Sequence, residues 1–191
     1  AHWHALWGYL VEAGPENAVN FLRLAAHMLG RGARPADPVP LLRAGVYRPG
    51  HGVADLAALR AHWVDGRPVA AVIFYRALLQ GAGLAPIDAL AHALAEQGLN
   101  PLPVYVTSLK DPVAAATVER LFADAPPDVV LNATSFAIAK PQAPGAAGGG
   151  VGAGTGAGAR TPTVLDAPDA PVVQIVLSAM SRDAWEAGDR G

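Results

Sequence analysis

RPVAAVIFYRALLQGAGLAPIDALAHALAEQGLNPLPVYVTSL, residues 67–109, reads as strand, loop, helix, strand. Residues 69–74 form an almost unbroken apolar run rich in β-branched side chains, as expected of a strand covered on both faces, and residues 102–106 form a second. Between them Pro86 suits a first helical position, Ile87, Leu90, Ala91 and Leu94 recur at helical spacing, and Gly98 suits a C-cap. Asp88, His92 and Glu96 fall four apart on the opposite, wetter face. A parallel pair of strands joined by one right-handed crossover helix is the simplest arrangement of these pieces.

The same alternation extends on both sides. Residues 42–47 suit a first strand closed by Pro49 and Gly50, after which Val53, Leu56, Leu59 and Trp63 trace a helix. Downstream, Asp111 is a good N-cap with Pro112 at the first helical position, and Val113, Thr117, Leu121 and Phe122 carry that helix to a Pro126-Pro127 stop. Residues 129–131 and 172–177 suit further strands, and Ser181 suits an N-cap for a last helix. Strands alternating with helices predict an α/β fold over residues 37–191, a doubly wound, mostly parallel sheet of flavodoxin or Rossmann type.

Residues 1–36 predict a separate helical segment. Trp3, Leu6, Trp7, Leu10 and Val11 form an apolar stripe on a helix ended by Gly14. Pro15 opens a second helix whose expected buried face is Ala18, Phe21, Leu22, Ala25, Met28 and Leu29. Three prolines in residues 34–40 mark a linker. Residues 141–162 are almost wholly Gly, Ala, Pro and Thr, with little to bury, and predict a flexible surface insertion. The chain opens at Ala1 without methionine, already in a helical pattern, and stops at Gly191 soon after a helix begins, so a segment of a larger polypeptide is expected.

Composition narrows the function. A net charge of −2 with only two lysines gives no concentrated basic face for nucleic acid. The lack of cysteine excludes disulfides, thiolate metal sites and cysteine nucleophiles. No apolar run reaches the roughly 18 residues of a membrane span, so a soluble, cytoplasmic protein is expected. The Gly-rich insertion has neither G-x-G-x-x-G nor GK[ST] spacing and opens into no helix, so it does not read as a phosphate cradle. The six histidines form no H-x-x-x-H pair and read as surface groups rather than a metal site. The G-x-S-x-G nucleophile elbow is also absent. No catalytic or metal-ligating residue is therefore assigned.

In open α/β sheets, ligands collect at the carboxyl ends of the strands, here Tyr47-Arg48, Tyr75-Arg76, Thr107-Ser108-Lys110 and Asn132-Thr134-Ser135. Each also has an ordinary reading: Tyr75 as a rim aromatic, Arg76 as a salt-bridged surface group, Ser108 and Asp111 as helix caps, and residues 132–135 as turn chemistry.

VIFYRALLQGAGLAPIDALAHALAEQGLNPLPVYVTSLKDP, PPDVVLNATSFAIA and LDAPDAPVVQIVLSAMSRDAW, in that order, resemble the large subunit of aerobic cobaltochelatase, the CobN family, which is related to the magnesium chelatase H subunit. GPENAVNFLRLAAHMLGRG and RAGVYRPG extend the resemblance over nearly the whole chain. It implies one early α/β region of a much longer subunit that holds a corrinoid, hydrogenobyrinic acid a,c-diamide, and Co2+. Two smaller subunits, one an ATPase, would drive insertion with ATP and Mg2+, so no cofactor is expected within this segment. Alternatives are a non-catalytic docking module, or an H-type subunit of magnesium chelatase acting on protoporphyrin IX. Gly83 and Leu84 stand where the family carries Asp or Asn followed by Thr, and Arg48 stands where the magnesium branch often has histidine. The first departure removes a polar loop. The expected ligand-binding residues are therefore Tyr75, Arg76, Ser108, Lys110, Thr134 and Ser135.

Overall fold

A computed structural model of the chain describes residues 2–134, 163–178 and 182–188. The Gly-rich stretch 141–162, Ser135 and Ser181 lie outside these residues.

The run read as the first buried strand is β3 (Val69–Tyr75), and Ala70, Ala71, Val72, Ile73 and Phe74 are all fully buried. It pairs in parallel with β4 (Asn100–Val106) on one side and β5 (Val129–Asn132) on the other, and β5 pairs in parallel with β6 (Val172–Gln174). β1 (Ala44–Arg48) and β2 (Gly52–Ala54) complete a six-stranded sheet in the order β2-β1-β4-β3-β5-β6. Its β4-β3-β5-β6 part is the flavodoxin-like order. α5 (Ala85–Glu96) packs Ile87 with Val72, Phe74 and Tyr105 on one face. α6 (Pro112–Asp124) packs Ala114, Val118 and Phe122 with Val46, Ile73 and Val104 on the other, so the sheet is doubly wound.

Several local expectations change. β1 runs antiparallel to β4, which an apolar run alone cannot specify. Val53 lies in β2, not in a helix: Gly50 and Gly52, at φ 71° and 87°, turn the chain back at once into a hairpin, and α3 (Leu56–Arg60) starts only after the Asp55 cap. A short helix, α4 (Arg76–Gln80), precedes α5, so two helices rather than one join β3 to β4. Gly98 does end α5, at φ 83°. In α6 the buried positions are Ala114, Val118 and Phe122, whereas Val113 faces outward.

Pro101 and Pro103 lie inside β4, a position that prolines normally leave to edges. β1 pairs only with residues 104–106, so the amino half of β4 has no strand on that side. The loop after α3 covers it instead. Trp63 donates from Nε1 to the Pro101 carbonyl at 3.1 Å, and Asn100 donates to the carbonyls of Val64 and Arg67 while accepting from the Val64 N–H.

α1 (His2–Glu12) and α2 (Pro15–Met28) form a hairpin, and the linker after it is strapped to both helices. The Tyr9 hydroxyl donates to the Ala36 carbonyl, Asn17 exchanges bonds with the backbone of Val39, and Glu12 accepts from the Leu41 N–H at 2.9 Å. This use of polar groups inverts the expected faces. Asn17, Asn20 and Leu24 are the buried residues of α2, while Leu22, Met28 and Leu29 are exposed, and Trp3 and Trp7 of the α1 stripe are exposed as well. The hairpin touches the α/β part through Gln80, which donates to the Glu12 carbonyl and accepts from the Gly14 N–H. Among the described residues no helix is long and apolar enough to cross a membrane.

Candidate functional site at the carboxyl edge of the sheet

β3 lies between β4 and β5, and the chain crosses from β3 to one side and from β4 to the other. The carboxyl ends of β3 and β5 therefore flank the topological switch point, where open α/β sheets place ligands. The parallel registers bring Tyr75 level with Val106, and Ile73 level with Asn132, so Tyr75, Arg76, Ser108 and Thr134 collect at this edge with Lys110 a few residues beyond β4. Tyr47 and Arg48 do not join them. β1 is antiparallel, so its end runs back from that edge to the level of the middle of β4; Tyr47 donates to Asp88 in the first turn of α5 at 2.7 Å, and Arg48 meets His51 at 3.2 Å.

The edge residues differ in what already holds them. Arg76 donates to the Leu41 carbonyl at 2.9 Å and clamps the linker to the start of α4. Thr134 is buried, and its hydroxyl and N–H both donate to Asn132 Oδ1, at 2.8 and 3.1 Å. Gln174 closes that network, accepting from Asn132 at 2.7 Å and donating to the Thr134 carbonyl at 2.9 Å, which ties β6 to the end of β5. Ser108 accepts from the Lys110 N–H at 3.1 Å and shapes the turn into α6, which leaves the Lys110 side chain exposed. Tyr75 is half-buried at the end of β3. Among the described residues, no three His, Asp or Glu side chains converge as a metal-holding group.

Asp111 organises the β4 end of the edge. It caps the Val113 N–H at 3.0 Å, accepts from Thr107 at 3.0 Å and pairs with Arg43 at 3.0 Å. Burial alone pushes its carboxyl up, but the bonds from Thr107, Val113 and Arg43 outweigh that and hold it below the usual 3.8. A depressed acid stabilises the fold above its unfolded pKa and loses that contribution as pH falls through the folded value. Asp111→Ala is therefore expected to lower the melting temperature at neutral pH. The gap from wild type should close in acid, where the wild-type carboxyl is itself protonated. A gap that stays constant from neutral to acid pH would contradict this role.

Sequence reasoning missed a second concavity. A cavity of about 450 Å3 opens between the α1–α2 turn, the linker and the β1–β2 turn, with Glu16, Leu41, His51, Val53, Leu79 and Tyr105 among its lining residues. Tyr105 lies in an apolar strand run, where periodicity marks it only as core.

These features define a flavodoxin-like α/β module carrying a strapped helical hairpin, with Tyr75, Arg76, Ser108 and Thr134 at its carboxyl edge. The chain belongs to the CobN/magnesium chelatase family, which it matches over residues 7–191. It is 38% identical over 195 residues to the aerobic cobaltochelatase subunit CobN of Sinorhizobium sp., an alignment covering 97% of this chain and 14% of that protein. To the CobN subunit of Pseudomonas aeruginosa it is 42% identical over 139 residues, 72% of this chain and 11% of that protein. The catalytic subunit of cobaltochelatase from Mycobacterium tuberculosis shares the fold, with a TM-score of 0.67 and 24% identity over 98% of this chain and 14% of that one. The chain thus spans 11–14% of the length of the relatives it matches.

Proposed function

We propose that this chain is one α/β region of the large subunit of an aerobic cobaltochelatase, a subunit that holds a corrinoid while Co2+ is inserted. The observation that carries this reading is the 38% identity to a CobN subunit along 97% of the chain. The substrate would be hydrogenobyrinic acid a,c-diamide, in cobalamin biosynthesis. ATP and Mg2+ would act on two smaller partner subunits in the cytoplasm, one of them an ATPase. Nothing in the described residues supplies a metal-holding group, so the isolated chain is expected to be inactive. Tyr75, Ser108 and Lys110 are the edge residues that would face ligand, whereas Arg76 and Thr134 would position the linker and β6.

The test is reconstitution. Full-length protein, the two smaller subunits, ATP, Mg2+, Co2+ and the corrinoid should yield a cobalt-corrinoid absorption spectrum that depends on every component. No product from a mixture in which the partner ATPase is active would overturn the proposal. Product from Mg2+ and protoporphyrin IX instead would assign the magnesium branch. A second reading, a non-catalytic docking module, is favoured by how fully Arg76 and Thr134 are engaged within the fold. Such a module contacts a tetrapyrrole rim or a partner subunit, so titrating the isolated chain with corrinoid and with each small subunit tests it, and binding to neither would leave only a structural role.

A further inference from the structure

The helical hairpin turns its apolar residues outward. Trp3, Trp7, Leu10 and Val11 recur at helical spacing along α1, and all four are exposed, Trp3 at 70% and Trp7 at 57%. On α2, Val19 and Leu22 are exposed as well. The linker takes the other side of the hairpin. It lies against Gly8, where a Cβ would stand 2.8 Å from Pro38 Cγ, and its backbone pairs with Tyr9, Glu12 and Asn17. The polar side is therefore closed by the chain's own backbone, and the apolar side is not.

Leu10 and Leu22 stand on one groove of about 480 Å3, which Ala13, Gly14, Ala18, Gly81 and Ala82 also line. Residues this small leave a recess that a branched aliphatic side chain from another element can fill. No charged residue lines the groove. Glu12, which alone among the residues of α1 is acidic or strongly basic, is engaged by the Leu41 N–H.

We infer that this face is an interface with the remainder of the large subunit itself: an apolar, charge-poor segment of the same polypeptide packs along the Trp3, Trp7 and Leu10 stripe and seats an aliphatic side chain in the groove. This rests on the chain being one region of such a subunit, as proposed above. Most of the length of the matched subunits lies outside this chain, which leaves ample polypeptide to supply the segment. Contiguous exposed apolar surface marks an interaction site, and the absence of charge from stripe and groove is the composition of a permanent interface rather than of a transient one. A helix lying on a lipid surface carries Lys or Arg on its polar face, and α1 has neither.

Hydroxyl-radical footprinting at matched dose, read by mass spectrometry, tests this on the 191-residue chain and on the full-length subunit. Trp3 and Trp7 should be oxidised rapidly in the 191-residue chain. In the full-length subunit alone each should be protected about fivefold or more, as for side chains in the buried core of an interface. Trp7→Glu combined with Leu10→Glu should leave the melting temperature of the 191-residue chain within about 2 °C, because both side chains are exposed there, and should restore rapid Trp3 oxidation in the full-length subunit. Equal oxidation in the two proteins would overturn the proposal and leave the chelatase assignment standing. So would protection already present in the 191-residue chain, the mark of a second copy. Protection of the full-length subunit that appears only with the smaller subunits, or only with anionic vesicles, would overturn it in favour of those partners. An intact protein no longer than this chain would overturn both the proposal and the assignment.

Discussion

Asn100→Ala is expected to lower the unfolding free energy by about 3 kcal/mol, read as a fall in the urea midpoint at unchanged slope. Asn100 is 6% exposed, and one amide serves three backbone groups: the Val64 N–H at 3.0 Å, the Val64 carbonyl at 2.9 Å and the Arg67 carbonyl at 3.1 Å. Alanine leaves all three without that partner. Each unpaired buried group costs about 1–3 kcal/mol, and the lower end applies here because the loop lies near solvent. The damage should spread further than the bonds, because this loop stands where a strand would otherwise flank Pro101 and Pro103. Asn100→Asp should be at least as harmful at neutral pH, since it sets a carboxylate against two carbonyls, and milder in acid, where a protonated carboxyl donates to one of them. A change below about 0.5 kcal/mol for Asn100→Ala, the size of an ordinary surface substitution, would show that the loop is held by Trp63 alone.

How much of this was legible in the sequence depended on whether a local pattern carried it. The buried runs at β3 and β4, the Pro86 and Pro112 helix starts and the Gly98 stop are local, and they place the parallel core and its carboxyl edge. Direction and partnership are not local. The β1 run reads the same whichever way it pairs, and the three residues of β2 are too few to show alternation. Helical periodicity assigns apolar residues inward, so it could not anticipate that Asn17 and Asn20 face inward because the linker backbone needs partners. The candidate site divides similarly. Which residues share the sheet edge follows from strand order, but that Arg76 is committed to the Leu41 carbonyl, 35 residues away, requires the fold.

The Tyr47–Asp88 bond yields the second large expectation, a loss of stability in alkali. Tyr47 is 2% exposed, stands edge-on to Phe74 at 5.9 Å and donates to Asp88 at 2.7 Å. Burial is the larger reason that its hydroxyl is pushed from 10.0 up to about 12, and the Asp88 carboxylate adds to it by accepting the proton's hydrogen bond and repelling a phenolate. An acid whose pKa is raised by folding stabilises the native state while protonated. That contribution is complete below pH 10 and is lost as pH rises toward 12. Its size over that window is about 2–3 kcal/mol. Wild type is compared with Tyr47→Phe, so that the alkaline response of the rest of the protein cancels. At neutral pH the substitution should cost about 1–2 kcal/mol, the loss of a hydrogen bond to a carboxylate. As pH rises past 10 the wild type should lose its advantage, and toward pH 12 the phenylalanine variant should become the equal or more stable protein. Urea unfolding of both proteins on either side of pH 10 measures the gap directly. A gap independent of pH would mean that the native fold lets the Tyr47 phenolate reach water, and that Asp88 is not the partner holding its proton.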